Sequence, residues 1–469
     1  MRNLLKPEGW WTAHPTMLTL TVHGAFDSNG DGLGDFEGIQ RNLEWFQALG
    51  ISGFRFQHVG EYGNDYTWSG LVQQNWYQVD PHYGSMQDFE RFMLACDEQG
   101  MKVMMMAVPE YLGWQHPDYL AAKRAKEAGE QDKRISWFDW KDDGTVLTCW
   151  NRPAPKVSNP GYMDAFLHHI GFWMDKGVAG WDADAVMTWH GISAQALRQF
   201  TKYVVSRGGM VTAENMVLER DLTKYGGFNA GTGHLRFEFY NELRAIMEGR
   251  ADYIREGMAV RQQLIAQGMF PYQQFGDQSF AELSQTSFCH LHEMYKQQIA
   301  FNAVLPDQVW INAAALTFTE IDPNAQWVKT PHGRGWGAID WTAVRKQEGN
   351  PNSIFEQFRR MFSLRARHAA LGIGEMKEVD TDQPKQAFAA IRTSEDGCSR
   401  ALVIFNFDGQ PCDVVINLAG LGIAMMQNAL SGAYVEVVGP THADSLLAYG
   451  YKVYLIDDAP FGDRRNAGC

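Results

Sequence analysis

The chain lacks the features that mark nucleic-acid-binding and membrane-spanning proteins. Its 469 residues carry a net charge of −14 and no run of lysine or arginine, whereas phosphate binding needs clustered basic side chains. No segment is apolar over the roughly 20 residues of a transmembrane helix, and the first residues contain no apolar signal-peptide core. These absences predict a soluble, cytoplasmic protein with no nucleic acid and no membrane partner. They leave the oligomeric state unknown.

Cysteine is scarce, and its spacing argues against a cysteine-bound metal. Six cysteines are scattered along the chain without the short spacings of metal ligands. We expect them to be reduced thiols that mostly fill the core, and we expect no organic cofactor.

Aromatic residues are plentiful by contrast, with 16 tryptophans and 17 tyrosines. Their faces pack in cores and also stack on sugar rings.

Short apolar runs alternate with helix-period segments over the first three-quarters of the chain. Such alternation is typical of parallel strands joined by helices, and eight runs favour an α/β fold, a (β/α)8 TIM barrel, over an open sheet. The periodicity of apolar residues alone does not distinguish a closed barrel from an open sheet. The predicted strands are Met17–Val22, Gly53–Val59, Lys102–Val108, Val178–Asp184, Gly209–Glu214, His234–Phe237, Met269–Phe275 and Val309–Phe318. The predicted helices are Phe36–Leu49, Gln87–Gln99, Met163–Lys176, Ala194–Val205, Phe288–Val304 and Ile354–His368.

Two segments depart from this alternation. Glu110–Pro160 is polar and rich in tryptophan and proline, and we expect a large loop or small subdomain there, after the third strand. Beyond about Gly374 the pattern changes to alternating strands, which predicts a separate antiparallel β domain. Its predicted strands are Ala387–Arg392, Ala401–Phe407, Val414–Leu418 and Lys452–Ile456.

An acidic loop follows the first predicted strand and has the composition of a calcium site. Oxygen-bearing residues stand at alternate positions between glycines, a pattern that suits a hard cation. The candidate ligands are Asp27, Asn29, Asp31, Asp35 and the carbonyl of Leu33. The sequence matches the first half of an EF-hand loop, but Gly38 occupies the twelfth position and no helix precedes it. The alternative is a solvated acidic turn.

Carboxylates also stand at the ends of several predicted strands. Asp182 and Asp184 are one residue apart and share a face of their strand. Asp184, Glu214 and Asp277 end the fourth, fifth and seventh strands, whose ends meet at one mouth of a barrel. A single carboxylate there is more often a cap or an ion-pair partner. Three carboxylates at the same end of the barrel favour glycoside cleavage with retention of the anomeric configuration, which needs two carboxylates about 5 Å apart.

The motifs resemble the α-amylase family of retaining α-glycosidases and transglycosylases, above all its oligo-1,6-glucosidase-like branch. Residues 27–35 resemble that branch's loop DSNGDGIGD with one conservative change, and residues 70–77 followed by 83–85 resemble GYWQQDIY…YGT. The resemblance extends from about Trp10 to Asp458. It implies a catalytic barrel in residues 1–109 and 160–374, an inserted B domain in 110–159 and a C-terminal β-sandwich in 375–469.

The resemblance also implies catalytic roles. Asp184 matches the nucleophile, Glu214 the general acid/base, and Asp277 the carboxylate that binds sugar hydroxyls and stabilises the transition state. We therefore expect retaining hydrolysis or glycosyl transfer on a small carbohydrate substrate, through a covalent intermediate on Asp184. The alternative is a non-catalytic carbohydrate-binding or scaffold relative, although retention of all three carboxylates favours an enzyme.

The residues expected around the reacting sugar are changed, which predicts a non-standard sugar. Asp182 stands where the family has an arginine. The motif DxVxNH becomes Met106–Tyr111, Gly276 replaces a histidine, and Leu71 aligns with a stacking tyrosine. Arg55, or a lysine or arginine from a loop, is expected to supply the missing positive charge near Asp184. Asp182 would either pair with that cation or contact a substrate amine or hydroxyl. The predicted substrate-binding residues are Asp182, Tyr111, Glu110, Gln73, Gln74 and Arg55, and the candidate stacking residues are Trp68, Trp114 and Trp189.

Overall fold

A computed structural model describes residues 9–62, 71–184, 190–191, 193–213, 245–246, 248–266, 272–275, 292–313, 339 and 341–456. The strands of its first part are β1 (Thr16–Leu20), β2 (Gly53–Phe56), β3 (Gly60–Glu61), β4 (Asn75–Val79), β5 (Lys102–Ala107), β6 (Thr148–Cys149), β7 (Arg152–Pro153), β8 (Gly180–Ala183), β9 (Met210–Ala213), β10 (Tyr272–Phe275) and β11 (Gln308–Asn312). Those of its second part are β12 (Gly374–Val379), β13 (Ala387–Ser394), β14 (Arg400–Asn406), β15 (Cys412–Asn417), β16 (Met425–Asn428), β17 (Tyr434–Glu436), β18 (Thr441–Leu446) and β19 (Tyr451–Ile456).

Seven of these strands form one parallel sheet in the order β10-β11-β1-β2-β5-β8-β9. They confirm seven of the eight predicted barrel strands, and His234–Phe237 lies outside the described residues. The first strand, β1, pairs in parallel with the last, β11. The strands run in chain order from β1 to β9, and β10 and β11 return to the other side of β1, which is the order that a (β/α)8 barrel requires. The edges of the described sheet are β9 and β10.

Helices connect the strands, and most match their predictions. The α-helices are Phe36–Gln40, Leu43–Ala48, Met86–Glu98, Pro117–Ala128, Pro160–Met174, Ala194–Ser206, Asp252–Ala266, His292–Val304, Trp341–Lys346 and Ile354–Arg367, and the 3-10 helices are Trp10–Ala13, Lys133–Trp137 and Ala369–Leu371. The single helix predicted over Phe36–Leu49 is wrong. Asn42 leaves helical geometry and its side chain donates to the Gly38 carbonyl, so the segment is two short helices.

The segment between β5 and helix Pro160–Met174 folds back on itself near the barrel. It contains helix Pro117–Ala128, which ends at the left-handed Gly129, and 3-10 helix Lys133–Trp137. The short hairpin β6–β7 follows, with Cys149 paired to Arg152. This segment starts at the carboxyl end of β5, so it lies at the end of the barrel where catalytic groups of such folds sit.

The second part of the chain is antiparallel, as predicted. One sheet has the order β12-β13-β14-β19-β16-β17, and β15 pairs with β18 in a second. Side chains from both sheets share one apolar cluster, which includes Ala389, Ile404, Val414 and Leu446. All four predicted strands are present, and β12, β16, β17 and β18 are additional. The two sheets therefore pack as a sandwich.

Side chains that point into the barrel form layers, because inward and outward positions alternate along each strand. Met17, Met104, Met210 and Trp310 pack with Trp11 toward the amino ends of the strands. Polar side chains replace this apolar filling further along. Thr19, Thr212 and Asn312 are buried and each lies two residues after Met17, Met210 and Trp310 on β1, β9 and β11. Arg55 on β2 and Asp182 on β8 are buried as well.

Two further findings bear on the chain's environment. Within the described residues, we find no helix with the length and apolarity to span a bilayer. Cys96, Cys149 and Cys412 are free thiols, but Cys398 is disulfide-bonded. The expectation that all six cysteines are reduced is therefore wrong at Cys398, because spacing along the sequence does not show which thiols the fold brings within bonding distance. The cytoplasmic location stays a prediction.

Candidate functional site at the carboxyl end of the barrel

Asp184 is the residue that directly follows β8. Its backbone N–H donates to the Ala107 carbonyl at 2.9 Å, which extends the β5–β8 pairing by one residue, and only 8% of the residue is exposed. The carboxylate therefore lies at the end of the barrel where the sequence predicts it. Glu214 and Asp277 lie outside the described residues. In sequence they follow β9 and β10, whose bounds are described.

A wall of polar groups borders Asp184 on the side of β5. Burial raises the pKa of the Tyr111 phenol well above its usual value, and the negative charges of Asp184 and Glu110 raise it further. The positive charge of Arg152 lowers the pKa of the same phenol. These interactions indicate that the four residues lie near one another, with Glu110 fully buried. The phenol stays protonated, so it is a hydrogen-bond donor beside the carboxylates.

The two adjacent glutamines use their side chains differently. Gln74 Oε1 accepts the Gln115 backbone N–H at 2.8 Å and so fixes the segment after β5. Gln73 is 3% exposed, and within the described part of the chain neither atom of its side-chain amide has a hydrogen-bond partner. A buried amide without partners costs free energy. Gln73 is therefore a group that a ligand or a water molecule can satisfy.

Asp182 does not sit beside Asp184 at the mouth. It lies two residues earlier on β8, about 6.6 Å deeper along the strand, and its carboxylate forms an ion pair with Arg55. The Thr212 hydroxyl donates to its other oxygen, and the Arg55 guanidinium lies 5.6 Å from the centre of the Trp310 ring. The structure thus selects pairing between Asp182 and Arg55. Substrate contact by either residue stays a prediction.

The acidic loop is held by its own hydrogen bonds. Asp27 accepts the N–H groups of Asn29, Gly30 and Gly32, and the side chains of Asn29 and Asp31 accept those of Asp31 and Leu33. Asp35 caps helix Phe36–Gln40 by accepting the Gly38 N–H. In the part of the chain that the structure describes, no three His, Cys, Asp or Glu residues are grouped so as to hold a metal ion. Amide and carbonyl oxygens are also calcium ligands, so calcium binding by this loop stays a prediction.

Sequence reasoning missed the residues that the segment 110–160 contributes. Cys149 packs against Leu71, Val72, Met106, Val108 and Tyr111, and Arg152 lies close enough to act on the Tyr111 phenol. No periodic pattern marks this segment, so its return to the barrel mouth could not be read from the sequence. Trp114 is exposed within it, whereas Trp68 and Trp189 lie outside the described residues.

Comparison with known sequences gives a family match in the same region. The family profile described as Alpha amylase, catalytic domain, matches residues 25–159. A probable α-glucosidase of Rhizobium meliloti is 25% identical over 39% of this chain and 37% of that protein. An oligo-1,6-glucosidase of Heyndrickxia coagulans is 24% identical over 38% of this chain and 36% of that protein. The amino acid transporter heavy chain SLC3A1 of Rattus norvegicus is 26% identical over 38% of this chain and 29% of that protein. The chain spans about a third of the length of the curated relatives it matches.

Solved structures match over nearly the whole chain. Amy13B of Eubacterium rectale aligns with a TM-score of 0.78 and 17% identity, covering 96% of both chains. The α-amylase from H. orenii aligns with a TM-score of 0.76 and 16% identity, covering 95% of this chain and 100% of that one. These identities show the fold alone, and they confirm the TIM barrel with its antiparallel C-terminal sheets. The chain thus resembles the α-amylase catalytic domain in sequence over residues 25–159, and it shares the fold of α-amylase structures over nearly its whole length.

Proposed function

We propose that the chain is a retaining α-glycoside hydrolase or transglycosylase that acts on a small α-glycoside or oligosaccharide. The observation that carries the proposal is the buried Asp184 carboxylate at the carboxyl end of β8, inside a parallel barrel. Catalytic groups of such barrels sit at that end. Relatives named α-glucosidase and oligo-1,6-glucosidase support the same chemistry, over part of their length.

The proposed mechanism uses two carboxylates in two steps. Asp184 attacks the anomeric carbon while Glu214 gives its proton to the leaving oxygen, so that a glycosyl ester forms on Asp184. Glu214 then removes a proton from water or an acceptor sugar, which attacks the same carbon and releases Asp184. Asp277 would stabilise the positively charged transition state. The Tyr111 phenol, kept protonated by burial and by nearby negative charge, can donate a hydrogen bond at this site.

We further propose that the reacting sugar differs from ordinary glucopyranose. Glu110 and Tyr111 supply polar groups at the wall beside Asp184. Gln73, whose carbonyl accepts the Gly113 N–H, adds a buried amide with no partner among the described residues. A pocket built around new hydrogen-bonding groups rejects a sugar that leaves them unpaired. The changed wall therefore supports a changed substrate, with the same chemistry at Asp184.

The test is turnover of a panel of α-glycosides that differ in the sugar at the cleavage point. Asp184→Ala and Glu214→Gln are each expected to abolish turnover of any substrate that the panel reveals, because one removes the nucleophile and the other the proton donor. Asp164→Asn is the matched control, since this carboxylate is exposed on helix Pro160–Met174. Near-normal rates in either catalytic variant would overturn the mechanism.

A non-catalytic carbohydrate-binding or scaffold protein is the second candidate. One relative of similar identity is named as an amino acid transporter heavy chain and not as a glycosidase. This candidate predicts binding of a sugar or a protein with no turnover. It also predicts that Asp184→Ala leaves that binding unchanged.

A further inference from the structure

Gln57 directly follows β2 and points into the barrel. It is buried, with 1% of the residue exposed, and its backbone carbonyl accepts the Met106 N–H at 2.7 Å, so the chain still runs beside β5. Both of its neighbours in sequence point outward. Phe56 packs in the apolar core between the barrel and its helices, and His58 contacts His169 on a helix outside the barrel. Because side chains alternate along an extended chain, Gln57 points inward.

Gln57 and Asp184 border the same space at the carboxyl end of the barrel. Arg55 and Asp182 meet inside the barrel as an ion pair. Gln57 stands two residues after Arg55, and Asp184 stands two residues after Asp182. Two residues advance a strand by about 6.6 Å, and β2 and β8 are parallel with only β5 between them. Gln57 and Asp184 therefore lie one layer above the ion pair, and Gln57 forms part of the floor of the candidate site.

The described part of the protein does not satisfy the side-chain amide of Gln57. Its Oε1 is buried and accepts no hydrogen bond from the described residues, which costs free energy. Gln308 on β11 shows the usual arrangement of a buried glutamine. Its Nε2 donates to the His14 carbonyl at 2.8 Å, and its Oε1 accepts the Trp310 indole N–H at 2.7 Å. A buried amide that gains nothing from the fold is expected where a ligand completes its hydrogen bonds.

We propose that Gln57 is a specificity-determining residue that hydrogen-bonds a hydroxyl group of the reacting sugar. The proposal rests on the proposed function, because attack by Asp184 on the anomeric carbon places the sugar beside Gln57. A hydroxyl group donates to Oε1 and accepts from Nε2, so it matches both atoms of the amide, whereas an ionised carboxylate has no donor for Oε1. The substrate class is therefore a neutral α-glycoside whose reacting ring carries a hydroxyl on the side of β2.

The test uses Gln57→Met, which keeps the length of the side chain and removes its two polar atoms. We expect a melting temperature equal to or above that of the wild type, because a buried acceptor without a donor is removed. We expect kcat/KM for the α-glycoside that the panel reveals to fall about 10- to 100-fold, because the sugar hydroxyl loses its partner. Gln308→Met is the matched control. Its melting temperature should fall, since two satisfied hydrogen bonds are lost, and its kcat/KM at lower temperature should equal that of the wild type.

Monodeoxy analogues of the same substrate identify the hydroxyl that Gln57 binds. Each analogue lacks one hydroxyl of the reacting ring. Removal of the bound hydroxyl should lower kcat/KM of the wild type and leave that of Gln57→Met unchanged, because the variant has no bond to lose there. Removal of any other hydroxyl should affect the two proteins equally. Equal effects at every position would overturn the proposal.

The outcomes separate this proposal from the proposed function. Turnover with equal kcat/KM in the wild type and Gln57→Met overturns the role of Gln57 and leaves the proposed function standing. A fall in melting temperature as large as that of Gln308→Met also overturns it, because the amide then stabilises the fold.

A readout without turnover covers the case in which no α-glycoside is cleaved. Binding of maltose, isomaltose, trehalose and sucrose is then measured by the rise in melting temperature that each sugar causes. Binding that Gln57→Met weakens about tenfold overturns the proposed function and leaves Gln57 as a sugar-binding residue. Binding of no sugar, or equal binding by the two proteins, overturns both proposals.

Discussion

At the scale of single residues, the Arg55–Asp182 pair is the clearest departure from an ordinary barrel interior. Both side chains are buried, and Thr212 donates a further hydrogen bond to the carboxylate. Two charges inside a barrel are tolerated only when each compensates the other. The pair therefore fixes three strands, β2, β8 and β9, to one another beneath the candidate nucleophile.

Removing one partner should be far more damaging than removing both. We expect Asp182→Ala to lower the free energy of unfolding by about 3–5 kcal/mol, because it removes the carboxylate that pairs with a buried guanidinium. The double variant Asp182→Leu with Arg55→Met should recover most of that loss, since apolar replacement of a buried pair is often neutral. Urea unfolding of the single and double variants measures the difference. A double variant that is no more stable than Asp182→Ala would contradict this account.

Residue positions were predictable from the sequence where strand order alone determines them. Asp184 follows an apolar run that becomes β8, so its place at the barrel end could be predicted. Whether Asp182 pairs with Arg55 or contacts substrate could not, because the alternation along a strand gives the face of a side chain but not its partner. Arg152 reaches the wall through a non-periodic segment, and no local pattern predicts such a contact.

At the scale of elements, three histidines are buried where β2 and two helices meet. His58 Nδ1 accepts the Gly60 N–H at 2.7 Å, and His58 Nε2 lies 3.1 Å from His169 Nε2. Trp76 stacks on His169 with a ring distance of 5.0 Å and also contacts His116. Burial lowers the pKa of His58 and of His116 to about 3 and that of His169 well below its usual value.

This cluster predicts a loss of stability in mild acid. The unfolded chain binds protons at histidine near pH 6.5 and the folded chain does not, so the free energy of unfolding falls as the pH drops from about 6.5 toward 3. Each histidine contributes about 1.4 kcal/mol per pH unit within that window. Urea unfolding at pH 7, 6 and 5 measures the slope. His116→Phe should reduce the slope and the exposed His168→Gln should not. Equal slopes in all three proteins would contradict the assignment.

The acidic loop after β1 gives an element-scale test of the calcium prediction. If calcium binds only the folded loop, a calcium concentration about one hundred times the Kd adds about 2.7 kcal/mol to the free energy of unfolding. We expect the melting temperature to be higher in calcium than in EDTA, and Asp27→Asn with Asp31→Asn to remove the difference. Equal melting temperatures in calcium and EDTA would show that the hydrogen bonds of the loop suffice to hold it.

Elements were predictable where an apolar run or an amphipathic face is long. The strands that the sequence did not reveal are short or largely exposed: β12 buries Met376 and little else, and β17 spans three residues. Such strands form because a neighbouring strand offers its hydrogen bonds, and their own composition gives little signal. The break at Asn42 was also missed. The apolar residues of Phe36–Leu49 keep a helical spacing across it, and the side-chain hydrogen bond of Asn42 to the Gly38 carbonyl leaves no mark in that spacing.

At the scale of the whole molecule, the barrel and the antiparallel sandwich share one core. The largest apolar cluster runs from barrel residues such as Phe54 to Phe388 and Phe405 of the sandwich. Arg365, on helix Ile354–Arg367, donates to the carbonyls of Ala303 and Leu371, and so joins the barrel to the chain that enters the sandwich. The sandwich is thus a structural support of the barrel rather than a separately tethered module.

The identity of the reacting sugar is the property that neither the sequence nor the fold supplies. The barrel determines where Asp184 lies, whereas in our proposal the side chains of the wall select the sugar. This separation explains why the reaction class could be proposed from a few carboxylates. It also explains why the substrate must be found with a panel.

Formation of a covalent glycosyl-enzyme on Asp184 is the most direct measurement of the central claim. The protein is incubated with 2-fluoro glycosyl fluorides of several α-linked sugars, and the products are analysed by intact mass and peptide mapping. We expect one reagent to add a single glycosyl group to Asp184 and to leave Asp184→Ala unmodified. An adduct on another residue, or no adduct with any reagent together with no turnover of any α-glycoside, would contradict the claim.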